Sequence, residues 1–283
     1  MSLVTWQGLC LDAVDVPTMS RFWSAVSGLA VADPEPPARL DGATRRHTLW
    51  VNPVDRARRA KNRVHLDVEC ESVDGLVALG ANVTASARDT GLGWTRMADP
   101  EGNDFCAFVR PADQLSDYRL HGIGIDCGDA ESQARWWGEL FGAQPTHDPR
   151  DGSWSLAGIA VDDRMTLDFD TVPEPRTEPN RVHWDVQGEI EALLARGATH
   201  LWDRPGWTVL ADPEGNEFCV FAPAALLHLL HGGPDLGLVV GLARLVVDLL
   251  RDPEGRDLLC HTHATTLPPD AKAAVRADQR TNP

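Results

Sequence analysis

The sequence predicts an α+β protein built of two tandem domains, each a pair of strand, helix and strand modules, followed by a helical C-terminal segment. Three observations predict it. Residues 93–112, GWTRMADPEGNDFCAFVRPA, return at 206–225 as GWTVLADPEGNEFCVFAPAA, with thirteen of twenty positions identical. Residues 62–68, NRVHLDV, return at 180–186 as NRVHWDV. The apolar pattern also switches from strand alternation to helical spacing at matching places in the two halves. A chain of 283 residues is long enough for two domains with full cores.

Taken in order, residues 5–13 alternate, with Leu9, Leu11 and Ala13 on one face and Gly8, Cys10 and Asp12 on the other. That is a strand with one face on a core. A helix follows: Asp15 or Thr18 can cap it, Met19, Phe22, Trp23 and Val26 recur at helical spacing, and Gly28 ends it. The second half repeats this with a strand at 122–127 and a helix carrying Trp136, Trp137, Leu140 and Phe141 before Gly142. Residues 33–61 are rich in Pro and Arg, with one strand expected at 47–51; strands at 153–160 and 165–169 are their better formed equivalents. His65 and Asp67 then share one strand face, as do His183 and Asp185. A short helix follows each pair. The segments beginning at Asp99 and Asp212 read Asp-Pro-Glu-Gly-Asn, with Asp, Pro and Gly at the positions a type I turn favours. Each turn leads into an apolar strand, 105–108 or 218–221. The expected domains are residues 1–112 and 118–224. The repeat then stops, and residues 225–283 form the expected helical extension. Its apolar run at 236–250 is too short for a membrane span and is expected to be a buried helix, or one that joins copies in a homo-oligomer.

The formal charge of −16 argues against a nucleic-acid groove or an anionic membrane surface and makes a small molecule the expected partner. The start of the chain lacks the basic residues and cleavage region of a signal peptide, so a cytoplasmic location is expected. Six cysteines form no Cys-x-x-Cys pair, as suits reduced, buried thiols.

Modules in pairs, His at the head of the second module, Gly-Ala after its helix and Asp-Pro-Glu-Gly-Asn before the last strand together resemble the vicinal oxygen chelate superfamily, in particular its glyoxalase-like subgroup. That superfamily includes glyoxalase I, bleomycin-resistance proteins and extradiol dioxygenases. The resemblance implies that each pair of modules forms a cupped, incomplete β-barrel. It also implies a divalent metal held by a His on the first strand, a His on the first strand of the second module, and a Glu on the last strand. The second-module His matches His65 and His183. The Glu position holds Cys106 and Cys219, and the first-strand position holds Gly8 and Gly122. His121, one residue before Gly122, faces the other way unless a bulge intervenes.

Three sets of candidates follow. His65 with Asp67, His183 with Asp185, and Asp12 and Asp126 from the first strands are the acid/base candidates, although the same groups could simply hold their strands in place. His121, His183 and Cys219 are the candidate metal ligands, for Zn, Mn, Fe or Ni. Trp50 and Trp154 are candidate walls for a flat ligand, and the acidic, tryptophan-rich composition favours an aromatic or cationic one. The resemblance leaves two functions open: a lyase or isomerase with a degenerate metal site, or a non-catalytic binder like the bleomycin-resistance proteins.

Overall fold

A computed structural model of the chain describes residues 2–160 and 164–222. The expected helix at 236–250, Cys260, His261 and His263 lie outside the described residues.

Four modules follow one another. The first contains β1 (Val4–Ala13), α1 (Val16–Ser27), β2 (Ala30–Asp33), β3 (Ala38–Asp41) and β4 (Leu49–Pro53). The second contains β5 (Val64–Cys70), α2 (Val73–Ala78), β6 (Asn82–Ala85), the single turn α3 (Ala87–Thr90), β7 (Thr95–Ala98) and β8 (Asp104–Val109). The third has β9 (Leu120–Cys127), α4 (Ala130–Phe141), β10 (Thr146–His147), β11 (Trp154–Ala157) and β12 (Thr166–Thr171). The fourth has β13 (Val182–Gly188), α5 (Ile190–Leu194), β14 (Thr199–Arg204), β15 (Trp207–Ala211) and β16 (Glu217–Phe221). The sequence pattern does not announce two of these strands, β2 just ahead of the Pro- and Arg-rich region and β3 within it. β2 is largely exposed, so it carries no alternation.

The expected caps form. Asp15 accepts the Thr18 N–H at 3.0 Å and Asp129 accepts that of Ser132 at 3.0 Å. Gly142, at φ 70° in the left-handed region, ends α4.

Pairs of modules build two eight-stranded open sheets, but each pair is drawn from both tandem copies. Sheet A runs β14-β15-β16-β13-β1-β4-β3-β2 and joins the first module to the fourth. Sheet B runs β10-β11-β12-β9-β5-β8-β7-β6 and joins the second to the third. The seams are antiparallel: β1 pairs β13 with Cys10 opposite His183, and β9 pairs β5 with Gly124 opposite His65. The copy boundary at residues 112–118 is thus a boundary in sequence, while the cups are shared between the copies.

The apolar faces of both sheets, with α1 and α4, share one core that includes Trp23, Trp137, Trp184, Phe105 and Phe218. The repeated turns tie it together. Asp99 accepts the Asn103 N–H at 2.8 Å and the Trp23 indole N–H at 3.4 Å, while the Glu101 carboxylate accepts the N–H of Val14 and of Asp15 ahead of α1. Asp212 and Glu214 repeat these bonds with Asn216, Trp137, Gly128 and Asp129. Each turn therefore grips the helix of the preceding module, which belongs to the other sheet. These turns are structural, and they hold the cups back to back.

Candidate functional site

Strand alternation places one polar row per strand on the outer, concave face of each sheet. In sheet A the rows are Gly8, Cys10 and Asp12 on β1, Trp50 and Asn52 on β4, His183 and Asp185 on β13, and Glu217 and Cys219 on β16, aligned by register. In sheet B the corresponding rows are Gly122, Gly124 and Asp126, then Asp168 and Asp170, His65 and Asp67, and Cys106.

The same residue types give two different cups. In cup B the His65 ring lies over Gly124, so close that a Cβ there would meet its Cε1 and Nε2 at 2.3 Å. His65 Nε2 sits 3.4 Å from Asp67 Oδ1 and 3.5 Å from Cys106 Sγ. Asp126 is paired with Lys61 at 2.5 Å. Burial pushes His65 down and the Asp67 carboxyl well up, the latter aided by Asp168. Burial also pushes the Cys106 thiol up, with the Asp67 charge adding to it. His65 and Asp67 are thus brought together and pack with Cys106, while Asp126 on the same face is taken up by Lys61.

Cup A is open. A cavity of about 530 Å³ is lined by His183, Asp12, Asn52 and Cys219, with Trp202, Trp207 and Val209 along one wall. Cys10 supplies a side chain at the position where cup B has Gly124, which denies His183 the place that His65 takes. The Cys10 thiol instead donates toward both oxygens of Asp185, 3.5 Å away. Asp12 meets Asn52 Nδ2 at 3.5 Å. Pro179 precedes Asn180 where Lys61 precedes Asn62, so Asp12 lacks the lysine that Asp126 has. Burial raises Asp12 to about 7 and Asp185 to about 7, and lowers His183 to about 4.

Two expectations fail on geometry. His121, His183 and Cys219 cannot hold one metal, because His121 is on β9 of sheet B while the other two are on β13 and β16 of sheet A. A bulge does intervene between Asp67 and Val68, and it lays His121 edge-on against Phe108, ring centroids 4.4 Å apart. Trp154 pairs with the core residue Phe169 and so lies on the helix side, with the Arg135 guanidinium over its ring at 5.3 Å. Trp50 is on the concave face of sheet A, opposite Cys10, beneath Arg39. Cys10 is the site residue that sequence reasoning passed over, although alternation had already put it in one row with Gly8 and Asp12.

The module order and the paired cups match a known sequence family: the model of the glyoxalase-like domain fits residues 8–108 and again residues 122–221. The chain belongs to the glyoxalase-like domain family. Among solved structures, glyoxalase I from Zea mays superposes with a TM-score of 0.58 at 14% identity, covering 81% of this chain and 97% of that one. A candidate dioxygenase from Bacillus subtilis superposes with a TM-score of 0.56 at 12% identity, covering 90% and 99%. At such identities the likeness is one of fold. No curated protein matches the sequence.

The donors in this glyoxalase-like cup A suit a metal ion. One atom each of Cys10, His183 and Asp185 lies within 4.8 Å of the others, and His65, Asp67 and Cys106 form a second trio in cup B, whose thiol is the counterpart of Cys219 and not of Cys10. A thiol, an imidazole and a carboxylate form a set that Zn²⁺ accepts. No helix among the described residues is long and apolar enough to cross a membrane.

Proposed function

We propose that the protein binds a small organic molecule in cup A and acts on it as a lyase or isomerase, with Asp12 as the residue that carries the proton. The observation behind this reading is the contrast between the cups: a cavity of about 530 Å³ opens onto Asp12 and His183 in sheet A, while the matching residues of sheet B are packed together. Trp202 and Trp207 offer the ligand an apolar wall. Burial holds Asp12 at about 7, so at neutral pH both its forms are populated: the acid can donate to an oxygen of the ligand and the carboxylate can take a proton from an adjacent carbon. His183 and Cys219 complete the surround and exclude water. A divalent metal, most suitably Zn²⁺, would be held by Cys10, His183 and Asp185. When bound, it would supply Lewis-acid polarisation of a ligand oxygen. Asp12 stands outside that trio and retains its role.

The test is a tryptophan-fluorescence screen of aromatic carbonyl compounds, with turnover measured for each hit. The Asp12→Asn variant should bind within a few-fold of the parent yet lose turnover by about 10²-fold or more. Undiminished turnover in Asp12→Asn sinks the assignment. Hits that bind to the parent protein without ever turning over point to the binder reading. Metal content is read separately, by elemental analysis of the parent beside His183→Ala.

A further inference from the structure

The lining of cup A does not share the acidity of the chain as a whole: its four acidic residues are matched by four arginines. Four arginines, Arg56, Arg59, Arg181 and Arg204, line the cavity of a protein with a net charge of −16. Arg56 and Arg59 lie on the crossover from β4 to β5, Arg181 directly precedes β13, and Arg204 ends β14. Arg181 donates to the backbone carbonyl of Arg56, which fixes one guanidinium beside that crossover. Of the lining acids, Glu217 is already held by Arg176, which is not in the lining, and by the Asn180 N–H at 3.2 Å. The four arginines then share the lining with Asp12, Glu178 and Asp55, the last of which lies 4.0 Å from Arg56, leaving Arg59 and Arg204 with no ion pair among the described residues.

We infer that cup A takes an anionic ligand: a flat apolar body against Trp202 and Trp207, with a carboxylate or phosphate held by the arginines at the mouth. This rests on the reading of cup A as the ligand site and names the chemical class of its ligand. Guanidinium groups pair with carboxylate and phosphate oxygens through charge-assisted, often bidentate hydrogen bonds. Drawn from three separate segments of the lining, they would orient the ligand, with its apolar end toward His183 and Asp12. The cationic ligand that overall charge suggests would meet like charge at the entrance.

Three probes of one shape and different charge test it: 2-naphthoate, neutral 2-naphthamide and cationic 2-naphthylmethylamine, titrated into the full-length protein by tryptophan quenching or calorimetry. The naphthoate should bind at least about tenfold tighter than the amide. That preference should shrink in Arg59→Gln and in Arg204→Gln, both solvent-accessible positions, while amide binding stays unchanged. If the amide binds as well as the naphthoate, or the amine binds best, the anion inference is overturned while the cup remains a ligand site. If no probe binds at millimolar concentration, both the inference and the reading it rests on fall.

Discussion

In sheet A the thiol of Cys10 stands where sheet B has only the hydrogen of Gly124, and the two histidines opposite respond to that difference. Cys10→Gly should therefore let His183 fall back onto β1 as His65 does onto β9. The expected result is a loss of about tenfold or more in naphthoate affinity, measured by calorimetry, because the imidazole no longer borders an open cavity. The reverse change, Gly124→Ala, drives a methyl into the His65 ring and should cost about 1–3 kcal/mol in urea denaturation. A neutral result for Gly124→Ala contradicts the packing described for cup B. At this scale much of the site was legible: His65, Asp67, His183, Asp185, Asp12 and Asp126 all sit on concave faces, because a strand's period of two fixes which face each residue takes. Cys10 was equally legible by alternation but reads as a small buried hydrophobe when taken alone. Arg56 and Arg59 of the mouth were not legible, since residues 54–59 have no periodicity from which to infer a direction.

The Asp-Pro-Glu-Gly-Asn turns act at the level of elements, fastening α1 and α4 to strands of the opposite sheet. Their aspartates are buried, and burial raises both Asp99 and Asp212 to about 6 from an ordinary 3.8. A folded-state pKa above the unfolded one means that the folded protein binds the extra proton. Their contribution to stability is fully present below about pH 4, falls as pH rises to about 6, and is level above that. The urea midpoint of the parent minus that of Asp212→Asn should thus decrease from pH 4 to pH 6.5. A difference that grows over that range refutes the assigned direction. Asp212→Ala should cost about 2–4 kcal/mol at any of these pH values, since the backbone N–H of Glu214 and of Asn216 and the Trp137 indole lose their acceptor. Helices, caps and turns were readable from local chemistry. β2 and β3 were not: β2 is a short exposed edge strand with no apolar signature, and β3 offers only Ala38 and Leu40 to the core within a Pro- and Arg-rich stretch.

For the whole molecule, the pairing of modules lay beyond the sequence for a definite reason. The first strand β1 has two near-identical candidate partners, NRVHLDV in its own copy and NRVHWDV in the other, and nothing local distinguishes them. The observed choice makes both cups joint property. Residues 1–117 and 118–283, produced separately, should each fail to bind naphthoate and should recover binding when refolded together; binding by either half alone would be incompatible with sheet A. The same pairing also sets an order of events during synthesis. Sheet B can close once residue 171 has emerged, whereas Cys10 must wait for Asp185, 175 residues later. Until β13 appears, the seam edge of β1 is an unpaired strand, and the nascent β5 presents the same motif beside it. Cup A is thus the last part of the described fold to be completed, and the stretch that is most exposed to mispairing on the ribosome is the one that will carry Asp12.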